Sequence, residues 1–131
     1  MRSFEDLNVY QKARAFRIDV SNVVKGFSID EKYRLTDQLL RSSRSVTAQI
    51  AEGHGRFHYQ ENIQFCRIAR GSLDETHEHL NTALDEGLID KIIWDDLIEK
   101  KTAVIQLLNG YINYPRKSKH GETIHKSQVT E

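Results

Sequence analysis

The chain has 131 residues, which suits one compact domain, and 38% hydrophobic residues supply enough apolar material for a core. Charged residues make up 29%, yet the formal net charge is zero, which excludes a protein attracted to nucleic acid by overall charge alone. One proline and seven glycines argue against a turn-rich β-sandwich or barrel, and a single cysteine excludes an internal disulfide framework.

The first two predicted helices occupy residues 4–52. Apolar residues recur at steps of three and four from residue 4 to about 25, which predicts the first helix. Ser28 and Glu31 match a capping box, so the second helix is expected to begin there and to run to Glu52. Gly53 follows at the position where a left-handed residue commonly ends a helix.

Two further helices complete the predicted fold. The third is expected from about residue 59 to 86, with Gly87 ending it, and the fourth begins at Asp90, a good N-cap, and continues to Ile112. Residues 115–131 are polar and are expected to be flexible.

These elements predict an all-α protein, an antiparallel up-down-up-down four-helix bundle over residues 1–114 with a flexible tail over residues 115–131. A long hairpin that folds only on assembly is the alternative. No apolar run is long enough to span a membrane, and the polar start of the chain does not resemble a signal peptide. We therefore expect a cytoplasmic protein without membrane partners.

The stretch "RSVTAQIAEGHGR" contains two closely spaced glycines, Gly53 and Gly55. A phosphate-binding loop places its glycines before a helix, whereas these follow one. The stretch therefore predicts a helix end and a tight turn. Ahead of it, small residues of the second helix favour close helix packing, with Gln38 and Gln49 as candidate members of a polar network.

Arginines occur in pairs three residues apart on each of the first three helices, which places both guanidinium groups of a pair on one face. Guanidinium groups bind phosphate oxygens bidentately, so we expect nucleic-acid contacts on the first two helices; salt bridges to nearby acids are the alternative. The charge distribution favours nucleic-acid contacts. Residues 1–60 carry ten basic and seven acidic side chains, whereas residues 61–114 carry five basic and ten acidic ones. The candidate contact residues are Lys12, Arg14, Arg17, Arg41 and Arg44, and the third pair is Arg67 and Arg70.

The sequence gives little support to an enzymatic function. Glu75 and His79 share a helix face, but a di-iron bundle needs carboxylates from all four helices, and the only Glu-x-x-His motif lies in the tail. Cys66 lies on an apolar stripe, which favours a core position over a reactive one. We expect no catalytic residues, no cofactor and no metal site.

Three segments, "FEDLNVYQKA", "EKYRLTDQLLRSSRSVTAQIAEGHGR" and "FCRIARGSLDE", resemble the four-helix-bundle family associated with 23S rRNA intervening sequences. The resemblance spans residues 4–112 and implies an antiparallel bundle that assembles into a ring, typically a pentamer. A related group, the accessory variability determinants of diversity-generating retroelements, binds nucleic acid and a reverse transcriptase. The resemblance places at the corner or at an interface Gln38, Ser45, Gln49, Glu52, Gly53, Gly55, Arg56 and Glu75. Gln49 departs from the family pattern, which usually has asparagine at this position.

Two functions remain open at this point. The first is a non-enzymatic, oligomeric accessory protein that binds nucleic acid, RNA rather than DNA, through its arginine-rich helix faces. The second is an interaction scaffold for a partner such as a reverse transcriptase, without useful nucleic-acid affinity of its own. Glu52 is expected to need a compensating partner, because a carboxylate near a helix C-terminus is unfavourable to the helix dipole. Arg56 or an arginine from an adjacent helix is the candidate partner.

Overall fold

The structure, a computed structural model, describes residues 3–56 and 58–113. The predicted tail, residues 115–131, lies outside the described residues. Four helices account for most of the described chain, and each packs on the next, while the first also packs on the fourth. Their bounds are α1 Asn8–Val24, α2 Asp37–His54, α3 Tyr59–Asp85 and α4 Lys91–Ile112. The predicted four-helix bundle is confirmed.

The core follows directly from the apolar periodicity of the sequence. In α1, the buried side chains are Val9, Ala13, Phe16, Val20 and Val24, at steps of three and four residues. The other helices contribute similar stripes, and the largest fully buried side chains include Leu39, Ile63, Leu80, Leu97 and Leu108. Within the described ranges, no helix combines the length and the apolar character needed to cross a membrane.

Cys66 lies in this core, as its apolar stripe predicts, and only 4% of its surface is exposed. Burial raises the pKa of the Cys66 thiol to about 12. Because the thiolate is the reactive form, we expect the native protein to resist a thiol reagent at neutral pH and the urea-unfolded protein to react rapidly. Absorbance of the released reagent measures this difference; rapid labelling of fully folded protein would contradict the placement of Cys66.

The first helix starts later than its periodicity predicts. A 3-10 turn covers Phe4–Asp6, and Ser3 caps it by accepting a hydrogen bond from the Glu5 amide. Leu7 then adopts an extended backbone with φ −68° and ψ 131°, and the α-helix begins at Asn8. Apolar spacing alone does not reveal the break, because Leu7 before it and Val9 after it are both buried.

The predicted capping box at Ser28 does not form. The Ser28 side chain makes no capping hydrogen bond, and the amide of Glu31 instead donates to the Ser28 carbonyl oxygen at 3.0 Å. A 3-10 turn, Ile29–Glu31, and a π-helical turn, Lys32–Thr36, precede α2. The backbone amide that the box would use is already satisfied within the 3-10 turn, so the second α-helix begins at Asp37.

The connection between α3 and α4 matches its sequence signals. Gly87 has φ +75°, the only left-handed backbone among the described residues. The amide of Gly87 donates to the Leu84 carbonyl and that of Leu88 to the Ala83 carbonyl, which is the Schellman arrangement. The Asp90 carboxylate caps α4 by accepting from the Ile93 amide at 2.8 Å.

Candidate nucleic-acid interface

The α2–α3 corner is built around a close approach of two helices. Gly53 lies inside α2 rather than after it, and its backbone is not left-handed, so the predicted role as a helix-ending residue is wrong. Gly53 is instead buried against α3. A Cβ atom at this position would lie 2.7 Å from the Phe65 Cβ and 2.8 Å from the Asn62 Oδ1. The glycine is therefore required by packing and not by its backbone conformation.

The predicted ion pair at this corner is present. Arg56 Nη2 lies 2.9 Å from Glu52 Oε2, and the guanidinium also sits 5.0 Å from the centre of the Phe65 ring. Gly55 caps α2, with φ −74° and an amide that donates to the carbonyls of Ala51 and Glu52. Since both charged side chains are about half exposed, the pair fixes the geometry of the corner more than it adds stability.

The small residues of α2 form a hydroxyl network with α3. Ser45 and Ser72 hydroxyls lie 2.9 Å apart, and Thr76 Oγ1 lies 2.8 Å from Ser42 Oγ. Ser42 also donates to the carbonyl of Leu39, as expected for a buried helical serine. These bonds confirm that the small residues serve close packing between α2 and α3.

Neither glutamine of α2 joins that network, contrary to expectation. Gln38 Nε2 donates to the Arg34 carbonyl one turn earlier. Gln49 Oε1 is buried and has no hydrogen-bond partner among the described residues. Glu75 also lies away from the corner, in the middle of α3, where its carboxylate is 3.3 Å from His79 Nε2.

One threonine hydroxyl links arginines of two helices. Arg17 Nη1 of α1 donates to Thr47 Oγ1 of α2 at 2.9 Å, and the same hydroxyl donates to the backbone carbonyl of Arg44 at 3.2 Å. Arg17, which is half-buried, is therefore held beside the turn of α2 that contains Arg44. The side chain of Arg17 is thus tied to the α2 backbone at Arg44, and both arginines line the same groove.

These arginines line a groove of about 500 Å³ between α1 and α2. Six of its eight lining residues carry polar or cationic side chains, and the other two are Ile18 and Leu40. Arg14 and Arg41 lie one turn from the groove arginines; both are exposed, and neither forms an ion pair within the described ranges. The groove-lining residues are Arg17, Ile18, Ser21, Asn22, Lys25, Leu40, Ser43 and Arg44.

The remaining basic candidates lie elsewhere. Lys12 is seven residues, about two turns, before Asp19, so both share one side of α1. Asp19 forms an ion pair of 2.7 Å with Lys100 of α4, which places Lys12 on the α4 side and away from the groove. Arg70 donates to Asn109 of α4 at 2.6 Å, whereas Arg67 is exposed and makes no ion pair among the described residues.

Lys25 is the groove cation that the search for arginine pairs misses. It follows Ser21 by four residues and Arg17 by eight, a spacing that keeps all three on one side of α1. Continuing the helical spacing of Arg14 and Arg17 toward the end of α1 identifies this lysine. The side chain is exposed and its Nζ donates to Asn22 at 3.2 Å.

The α3–α4 side carries most of the acidic residues and a histidine contact. Lys101 Nζ lies 3.0 Å from both His77 Nδ1 and Asp74 Oδ1. Partial burial and the neighbouring lysine lower the pKa of His77, against the opposing effect of Asp74 and Glu78. Within residues 3–56 and 58–113, no three His, Cys, Asp or Glu side chains converge as a metal site would require.

A modest pH dependence follows from the lowered pKa of His77. Above the ordinary histidine value of 6.5, both folded and unfolded states keep the ring neutral. As the pH falls below that value, the unfolded state binds a proton more readily, so we expect stability to decline. His77→Gln should flatten this decline in urea unfolding measured by circular dichroism; an unchanged decline would assign it to other groups.

Comparison with known proteins supports the fold. A family model described as 23S rRNA-intervening sequence protein matches residues 5–110. The chain is also similar to a crystal structure of a protein of unknown function from the S23 ribosomal protein family of Bacteroides thetaiotaomicron VPI-5482. The TM-score is 0.74 at 23% identity, with 80% of this chain and 98% of the other covered. No curated protein matches the chain.

Proposed function

Since the chain belongs to the 23S rRNA-intervening sequence protein family, we propose that it is a non-enzymatic accessory protein that binds nucleic acid, with RNA as the preferred ligand. It acts in the cytoplasm and self-associates into a ring, as the family resemblance implies. The contact surface is the arginine face of α1 and α2, defined as Arg14, Arg17, Arg41, Arg44 and the groove between the two helices.

One observation carries this proposal: the Thr47 hydroxyl holds Arg17 beside the turn of Arg44. Arginines that neutralise acids within the bundle would be paired with carboxylates, as Arg56 is with Glu52. Within the described ranges, Arg14, Arg41 and Arg44 form no such pair. Unpaired guanidinium groups on a shared face suit the phosphates of a nucleic-acid backbone.

The direct test is fluorescence anisotropy with a structured RNA and a matched duplex DNA, at low and at physiological salt. We expect the protein to bind the RNA more tightly and to lose affinity steeply with salt, because binding releases counterions from phosphates. Arg41→Ala with Arg44→Ala should weaken binding about tenfold while the helical circular dichroism stays unchanged. Equal affinity in the folded double variant would remove both residues from the site.

A scaffold for a partner protein is the second candidate, favoured by two exposed isoleucines. Ile29 is 84% exposed and Ile92 is 79% exposed, so both apolar side chains are accessible to a partner. This function predicts capture of a partner, such as a reverse transcriptase, that persists after nuclease treatment. It also predicts no RNA binding by the purified protein even at low salt.

A further inference from the structure

We propose that Tyr33 is a stacking platform for an unpaired base, and that the arginine face therefore takes single-stranded rather than duplex nucleic acid. The inference rests on the proposed function and specifies its ligand class. Its basis is the placement of one exposed aromatic ring, beside a cation, in the turn that leads into the arginines of α2.

Tyr33 contributes little to the folded core. It is 81% exposed, whereas Tyr59 and Tyr111 are 6% and 5% exposed. Its phenol ring is thus available for contact over most of its surface. Lys32 Nζ lies 5.6 Å from the centre of the ring, and Arg34, the next residue in the sequence, is exposed without an ion pair among the described residues. An exposed aromatic ring beside a cation combines a stacking surface with phosphate attraction.

The backbone around Tyr33 presents the ring outward. Tyr33 lies in the π-helical turn Lys32–Thr36, where Leu35 is buried at 5% exposure and anchors the turn to the core. π-Helical turns are rare and occur frequently at functional sites. This turn directs Leu35 into the core and Tyr33 into solvent, so the outward tyrosine is fixed by the inward leucine.

Tyr33 precedes the arginine face along the chain. Asp37, Arg41 and Arg44 follow one side of α2 at steps of four and three residues, and Tyr33 lies four residues before Asp37 in the π-helical turn that leads into α2. From Asp37 to Arg41 the helix axis extends about 6 Å, at about 1.5 Å per residue. A strand whose base covers the ring can therefore continue along the guanidinium groups.

The geometry favours a single strand for a simple reason. In a duplex, each base is already stacked on its neighbours and paired, so its face cannot cover a protein ring without unstacking. An unpaired base has a free face, and aromatic side chains beside basic grooves bind such bases with little sequence preference. The ring would add nothing to the binding of a rigid duplex.

The test compares Tyr33→Ala with Ile68→Ala, which removes an exposed apolar side chain of α3 that does not line the groove. Anisotropy is measured with a fluorescent single-stranded RNA and with the same strand annealed to its complement. We expect Tyr33→Ala to weaken single-strand binding about 5- to 100-fold and to leave duplex binding little changed. Tyr33→Phe should retain the affinity, since it keeps the ring, and Ile68→Ala should bind both ligands as the wild type does.

Salt dependence separates this inference from the arginine proposal. Tyr33→Ala removes no phosphate contact, so the slope of log affinity against log salt should stay as in wild type. Unchanged single-strand affinity, or an equal loss on both ligands, would overturn the inference and leave RNA binding by the arginines intact. A change in the mass of the assembled protein in light scattering, with RNA affinity retained, would overturn it too and assign the ring to self-association. If the wild-type protein binds neither RNA, the proposed function and the inference both fail.

Discussion

Gly53→Ala is expected to destabilise the protein by about 1–3 kcal/mol, although alanine is intrinsically the better helix former by about 1 kcal/mol. The new methyl group would lie under 3 Å from the Cβ of Phe65 and from the amide oxygen of Asn62. Neither neighbour is free to move. The Phe65 Cβ is fixed by the α3 backbone, and the Asn62 side chain bonds to the Tyr111 hydroxyl of α4. Chemical unfolding followed by circular dichroism measures the loss.

Gly71→Ala is the matched control for this substitution. Gly71 also lies inside a helix, but a Cβ there meets nothing within 4 Å, and Gly110 in α4 is equally open. We expect both alanine variants to gain about 0.5–1 kcal/mol from helix propensity alone. Opposite signs of the change in unfolding free energy for Gly53→Ala and Gly71→Ala would establish that Gly53 is required by the close approach of α2 and α3. A stabilised Gly53→Ala protein would show that α2 and α3 are farther apart than described.

The position of Gly53 also shows what a single sequence can and cannot predict. Four apolar stripes predicted four helices, because a helix that buries one face needs that spacing whatever its neighbours are. The sequence predicts Gly53 as a helix-ending residue, because a glycine that ends a helix and a glycine required by close packing have the same sequence signal. Only the position of Phe65 on another helix separates them, and sequence spacing does not encode that distance.

The same limit applies to the candidate site. The three-residue spacing placed Arg41 and Arg44 on one helix side, since both lie on the same helix. It could not foresee that Arg17 bonds to Thr47 or that Arg70 bonds to Asn109, because each partner is on a different helix. Lys12 is likewise predicted to share the contact surface with the arginines, although helix rotation turns it toward α4.

The segment before α2 was the least predictable part of the fold. Ser28 and Glu31 have the residue types and spacing of a capping box, yet the chain forms a 3-10 turn and then a π-helical turn. Local propensities differ little among these turns, so tertiary burial of Leu35 can decide between them. The sequence therefore does not predict that Tyr33 is exposed, because its exposure depends on that turn.

Charge reversal on the arginine face should have the largest effect on binding. Arg41→Glu with Arg44→Glu removes two cations that neutralise phosphates and adds two repulsive charges beside the groove. We expect RNA affinity to fall more than about 100-fold at physiological salt. The log–log salt slope should decrease by about 1.4, because each phosphate neutralised on a single strand accounts for about 0.7 of that slope. Anisotropy titrations across a salt series measure both quantities.

Lys12→Glu with Arg67→Glu provides the control that isolates position from total charge. Both double variants carry a formal net charge of −4 in place of zero, since each reversal changes the charge by two. Lys12 and Arg67 are exposed and unpaired among the described residues, so neither substitution breaks an ion pair there.

A general electrostatic attraction would weaken equally in both variants. A localised contact surface would be lost only in the first, because charges away from the groove are largely screened beyond a Debye length of about 8 Å. Equal losses would therefore refute the α1–α2 site while leaving nucleic-acid binding itself in place.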